Sequence, residues 1–229
     1  MNILAIGAHP DDIEIFMFGL LRILKTRGDN IFLAIATDGC LGGDLPKKQL
    51  VKIRKKETIS GLSELAKPYF LNFPDGQLGD NLNHKLEIRN LITKIKPDII
   101  ITHDKKDYHS DHKILSNIVS EIAGHYIPVI YSETMMGINF MPNYYIDITD
   151  VFEIKKKAVM CHLSQKPDRF INLIKIMNGY RSAQCNAPIG NYAECYSFER
   201  SFPFSDISKI LPSPPKIRPF YIKNHLGFL

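Results

Sequence analysis

Asn2-Ile3-Leu4-Ala5-Ile6-Gly7 runs directly into Ala8-His9-Pro10-Asp11-Asp12, and from Ile13 onward the apolar residues recur at helical spacing. The first run has no polar–apolar alternation. It reads as a strand buried on both faces, which is what the inner strands of parallel sheets are. Ile13, Phe16, Met17, Leu20, Leu21 and Leu24 then share one face of a helix over residues 13–26, until Gly28-Asp29-Asn30 ends it. The same change of period recurs along the chain. Strands are expected at 31–36, 68–73, 98–102, 128–133 and 144–147, and helices at 48–66, 86–95 and 113–123. Thr149 is placed to cap a final helix over residues 151–163. Strands alternating with helices specify an α/β fold, a Rossmann-like, mostly parallel sheet with helices on both faces.

Composition narrows the class. At 229 residues, with 45% hydrophobic and 23% charged residues, the chain fits one soluble globular domain with a large core. A net charge of +5, spread over runs such as Lys155-Lys156-Lys157, is too mild and scattered for a nucleic-acid-binding protein, though it favours an anionic substrate. No run reaches the ~18 apolar residues of a membrane span. The amino terminus lacks the basic start and apolar stretch of a secretory signal. Cys40, Cys161, Cys185 and Cys195 are widely spaced and form no disulfide scaffold, so a cytoplasmic location is expected. Past residue 200 the composition shifts. Pro203, Pro212, Pro214, Pro215 and Pro219 punctuate a stretch that still carries Phe202, Phe204, Leu211, Phe220 and Tyr221. Residues 1–200 are therefore expected to form the main domain. Residues 201–229 are expected to form a Pro-rich extension packed on it or on a neighbouring subunit of a homo-oligomer, since a disordered tail is poorer in aromatics.

Two clusters carry the chemistry. His9, Asp11 and Asp12 follow the first strand; His103 to His112 (His-Asp-Lys-Lys-Asp-Tyr-His-Ser-Asp-His) follows a later one. Open parallel sheets place their sites at the carboxyl ends of their strands, so the clusters can meet. Imidazole and carboxylate together suit Zn²⁺ or another divalent metal with one position left open. His9 and Asp12 can ligate from adjacent turns, leaving Asp11 free to take a proton from water. Glu14 is placed to hold the loop or a His9 ring nitrogen. Of His109 and His112, one can be the third ligand. The other, held by a carboxylate, can stabilise an oxyanion or protonate a leaving amine. No Gly-x-Gly-x-x-Gly loop follows the first strand, which argues against a nicotinamide enzyme.

Ala8-His9-Pro10-Asp11-Asp12 together with Asp107-x-His109-x-Asp111-His112 resembles the paired motifs of the PIG-L/LmbE-like family of zinc-dependent N-acetylglucosaminyl deacetylases. The resemblance extends through Thr37-Asp38-Gly39, Arg54 with Glu57, Pro74-Asp75-Gly76, Cys161-His162-x-Ser164-Gln165 and Tyr192-Ala193-Glu194, and so covers about residues 1–200. It implies His9, Asp12 and His112 as metal ligands, and Asp11 as general base. His109 would be general acid or electrostatic catalyst, oriented by Asp111, with Arg54 and Asp75 contacting the substrate. The implied activity is removal of acetate from an N-acetylated amino sugar, a glycoside or nucleotide-linked sugar, with Zn²⁺ or Fe²⁺ as metal. The alternatives are a deacylase of a non-sugar N-acyl compound and a metal- and sugar-binding protein without turnover. Two departures stand out: Phe16-Met17-Phe18-Gly19-Leu20 where the family has a Gly-rich segment, and Ser110 where it has proline. His162 reads as structural or as a subunit contact, His84, His125 and His225 as surface residues, and Tyr108 and Tyr192 as pocket or packing residues.

Overall fold

The computed structural model describes residues 1–124, 126–199, 207 and 210–215. Its frame is one seven-stranded sheet built from β1 (Asn2–Gly7), β2 (Asn30–Thr37), β3 (Tyr69–Phe73), β4 (Ile99–His103), β5 (Val129–Ser132), β6 (Tyr144–Asp147) and β7 (Ala193–Phe198). The order is β3-β2-β1-β4-β5-β7-β6. The first five strands pair in parallel, while β7 runs antiparallel to both β5 and β6. From β1 the chain winds outward to β2 and β3, then returns to lay β4 on the other side of β1. The connections therefore diverge between β1 and β4, which opens a crevice beyond their carboxyl ends.

Side chains of β1 alternate between two cores, as the pleat requires. Ile3 and Ala5 join the larger core with the helices α1 (Asp12–Phe16), α2 (Phe18–Arg27), α6 (Phe152–Met160) and α7 (Asp168–Gln184). Leu4 and Ile6 face the second, under α4 (Leu82–Ile95) and α5 (Ser110–Ala123). The remaining helix, α3 (Lys47–Gly61), follows β2.

Several elements depart from the sequence reading. The helix expected over 13–26 breaks at Met17 (φ −131°, ψ −10°), where α1 ends and α2 begins. The new helix start is satisfied from β7: Glu194 accepts from the amides of Gly19 and Leu20, each at 2.8 Å. Gly19 is required there, because a Cβ would stand 2.5 Å from Ile148 Cγ2. Thr149 caps no helix; its hydroxyl donates to Asp147 Oδ1 at 2.6 Å, and α6 spans only Phe152–Met160. α7 and β7 were not expected. Asn178, Arg181 and Ser182 are buried on α7 and break its apolar stripe, and Glu194 is buried within β7. His84 is buried and stacked on Phe73 at 4.2 Å, not at the surface, while His125 and His225 lie outside the described residues. Of the Pro-rich stretch, Ile207 and Leu211 are described and sit in the larger core; Ser213 accepts from the Asp147 amide at 3.2 Å. Most of residues 201–229 lie outside the described residues.

Candidate metal centre and catalytic pocket

The loop after β1 and the first turn of α5, which follows β4, meet in the crevice between those strands. The Thr37 amide and hydroxyl both donate to Ala8 O at 2.8 Å and pin the loop to β2. The turn forces Asp11 to φ 139°, a positive value that side chains rarely adopt. Strain of this kind persists where the surroundings over-determine it, commonly at functional sites. The result is that Asp11 and Asp12 point to different tasks.

His9 Nδ1 and His112 Nε2 lie 3.2 Å apart, Asp12 Oδ2 is 3.3 Å from His112 Nε2, and His9 Nδ1 is 3.4 Å from Asp12 Oδ2. Adjacent corners of a tetrahedron with arms of about 2.0 Å, the length of zinc–nitrogen and zinc–oxygen bonds, are separated by about 3.3 Å. In the ligating form the opposite ring nitrogens would carry the protons. His9 Nε2 faces Asp75 Oδ1 and Asp111 Oδ2, each at 3.3 Å, and His112 Nδ1 faces Asp107 Oδ2 at 3.0 Å. Two imidazole lone pairs and a carboxylate oxygen thus converge on one point, an arrangement a divalent cation stabilises. His103 is close, 3.1 Å from Asp12 Oδ2, but its Nε2 already accepts the Ala8 amide at 3.0 Å. Burial, with the charge of His112, lowers His103 to about 4, so it stays neutral. Burial works against charge on His9 and His112 too. Asp111, Asp12 and Asp75 nevertheless push His9 up to about 12, and Asp12 and Asp107 push His112 up to about 9.

Asp11 is buried, and Arg54 Nη2 donates to its Oδ2 at 3.0 Å. Burial pushes its carboxyl above the usual carboxylate range, against the opposing charge of Arg54. Among the described residues Arg54 is the hydrogen-bond donor to this carboxylate, which leaves Oδ1 available to accept a proton. Arg54 itself is 3% exposed and also donates to Pro10 O and Gly39 O at 2.7 and 2.9 Å. It lines the cavity, but its guanidinium is committed to shaping the loop and holding Asp11. The Gly-rich loop after β2 folds over it; a Cβ at Gly42 would stand 2.2 Å from Arg54 Nη1.

His109 caps α5, its Nδ1 accepting the Asp111 amide at 3.3 Å, so its proton sits on Nε2. Its ring lies 4.6 Å from that of His9 and 4.7 Å from that of His112. Burial, with the charges of His112 and His9, lowers its pKa. The Asp111 carboxylate does not reach this ring; it accepts the Gly76 amide at 2.9 Å and holds His9. Asp75 likewise serves His9 and accepts the Leu41 amide at 2.9 Å, at the wall of the same cavity. Asp107 was visible in the second motif, but its task, orienting His112, needed the geometry. Glu14 does not touch His9; it pairs with His162 Nε2 at 2.7 Å, both fully buried. Tyr192 stacks on Phe152 at 3.6 Å, whereas Tyr108 is half exposed at the cavity wall.

The centre opens on a cavity of about 420 Å³, walled by Phe16, Met135, Tyr108 and Phe170 as well as the polar groups above. That volume suits a small ligand. No described helix is long and apolar enough to cross a membrane.

The chain is similar in sequence and fold to known proteins. The chain is 27% identical over 189 residues to the diacetylchitobiose deacetylase of Thermococcus kodakarensis, covering 73% of this chain and 71% of the relative. It is 27% identical over 191 residues to the Bacillus cereus protein named "Probable N-acetyl-alpha-D-glucosaminyl L-malate deacetylase 2", covering 72% and 83%. The N,N′-diacetylchitobiose deacetylase of Pyrococcus horikoshii shares the fold with a TM-score of 0.77 at 23% identity, over 86% of this chain and 83% of that one. So does the 4-carboxy-2-hydroxymuconate hydratase of Pseudomonas putida, with a TM-score of 0.76 at 18% identity over 86% and 95%. The fold therefore hosts more than one reaction, and the site has to carry the functional argument. The PIG-L family model, described as GlcNAc-PI de-N-acetylase, matches residues 4–123, a stretch that holds both motifs. With more than half of its 229 residues matched by that model, the chain belongs to the PIG-L family.

Proposed function

We propose that this chain is a metal-dependent deacetylase that hydrolyses the acetamide of an N-acetylated amino sugar to acetate and the free amine. The observation that carries the reading is the convergence of His9 Nδ1, Asp12 Oδ2 and His112 Nε2 beside a buried carboxylate of raised pKa, all on one cavity. The sugar class comes from the relatives, which are named for acetylated glucosamine compounds.

A divalent ion, Zn²⁺ or Fe²⁺, held by His9, Asp12 and His112 would supply Lewis acidity towards the acetyl carbonyl and lower the pKa of water. Asp11 Oδ1 accepts a proton as the water oxygen bonds to the acetyl carbon. A carboxyl of raised pKa can then return that proton to the nitrogen as the carbon–nitrogen bond breaks. Arg54 keeps Asp11 in place through both transfers. His109, neutral with Nε2 protonated, donates a hydrogen bond to the carbonyl oxygen as negative charge builds there. Asp75, Asp111 and Asp107 hold the two ligand imidazoles in the tautomers that ligation needs. The free cysteines among the described residues suit a reducing compartment, and we place the enzyme in the cytoplasm on that ground.

The test is acetate release from N-acetylglucosamine conjugates by protein stripped with chelator and refilled with Zn²⁺ or Fe²⁺. Release should require refilling and fall at least a hundredfold in Asp11→Asn with metal content unchanged. Refilled wild-type protein that releases no acetate from any sugar overturns the reading.

A further inference from the structure

We infer that Arg169 binds an anionic group, a carboxylate or a phosphate, that the substrate carries outside its acetamide. This rests on the deacetylase reading above and specifies the substrate class for the same cavity. Two arginines line that cavity, Arg54 and Arg169. Arg54 is buried and its guanidinium is used by Asp11, Pro10 and Gly39. Arg169, in the first turn of α7, is exposed, and no carboxylate among the described residues pairs with it. Its guanidinium lies over the Phe170 ring, 4.5 Å from the centroid, and Phe170 is itself a wall of the cavity. Such a stack holds the planar fork in place and leaves its donors free for a bidentate partner.

The charges at the floor of the cavity are already paired. Asp11, Asp12 and Asp75 are buried at its floor and committed to Arg54 and the histidines. The arginine at that floor, Arg54, is already bonded, so an anion on the substrate is drawn to the exposed guanidinium of Arg169. The acetamide must enter the floor to reach Asp11, so the anion belongs on the part of the substrate that points outward.

Two measurements test this on the metal-loaded protein. The first compares kcat/KM for N-acetylglucosamine 1-phosphate and for an N-acetylglucosaminyl L-malate glycoside with that for N-acetylglucosamine. The second compares calorimetric binding of glucosamine 1-phosphate and glucosamine, which differ only in the anion and undergo no turnover. In both, Arg169→Ala should cut the advantage of the anionic ligand roughly tenfold, Arg169→Glu should cut it further, and Arg169→Lys should keep part of it. Lys175→Ala removes an exposed charge from the same helix away from the cavity and should leave the ratio unchanged. The two anions show whether phosphate or carboxylate is preferred. An unchanged ratio in Arg169→Ala, an equal loss in Lys175→Ala, or no anion preference in the wild type overturns the inference. If no sugar is turned over but the Arg169-dependent binding preference persists, the deacetylase reading falls and the anion site stands.

Discussion

The positive φ of Asp11 separates what its backbone costs from what its carboxylate does. Asp11→Ala and Asp11→Gly both remove the carboxylate, so both leave Arg54 with only Pro10 O and Gly39 O, and both should lose turnover. They differ in the backbone. At φ 139° alanine keeps the strain that aspartate bears, a cost of about 1–3 kcal/mol, whereas glycine adopts such values freely. Glycine loses about 0.5–1 kcal/mol more chain entropy on folding. The glycine variant should therefore be more stable than the alanine variant by about 1 kcal/mol. For a chain of this size that is a difference in Tm of roughly 2–4 °C. The assay is urea and thermal unfolding of the metal-stripped variants, so that differing metal affinity cannot enter. An alanine variant as stable as the glycine variant would refute the claim that this loop is held strained.

Three other outcomes follow from the same geometry. Asp107→Ala should weaken metal affinity by about 10–100-fold, read by competition with a chromophoric chelator, because His112 loses the group that orients its ring. Carboxylates push His9 up to about 12 and His112 up to about 9, so both are protonated at pH 7 in the metal-free protein. Metal uptake must then displace protons, and affinity should rise with pH. An indicator dye in weak buffer should record the release, and metal binding without it would contradict the protonation of His9 and His112 in the metal-free protein. Gly19→Ala should cost about 1–3 kcal/mol in urea unfolding, since its Cβ would meet Ile148 and the Glu194 carboxylate that caps α2.

The fold was legible where one element buries both faces or one clean stripe. β1, β2 and β4 have continuous apolar centres because each lies inside a parallel sheet, and residues 113–123 of α5 show an amphipathic pattern. No element was read beyond the helix expected over residues 151–163. α7 and β7 escaped because their buried positions include the polar residues Asn178, Arg181, Ser182 and Glu194; of these Asn178, Arg181 and Glu194 are satisfied by partners distant in sequence. Glu194 accepts from Gly19, Leu20, Lys155 and Tyr196, and only a folded sheet brings those donors together. The break at Met17 was hidden for the same reason: the cap that makes it tolerable comes from a strand 175 residues away.

By itself the sequence determined that His9, Asp11, Asp12, His109 and His112 share one site. Motifs that follow parallel strands are carried to the same sheet edge by topology alone. Which atom serves which partner was decided only by the tertiary structure. The family resemblance implied Asp111 as the partner of His109, yet the helix that begins at Ser110 turns that carboxylate towards His9 and Gly76. Arg54 and Asp75 show the same thing, one folded under the Gly-rich loop against Asp11, the other set against His9 at the cavity wall. Spacing along a chain specifies which groups can meet. The directions of side chains around helix starts and tight turns, where a single residue rotates a carboxylate out of reach, specify which of them do.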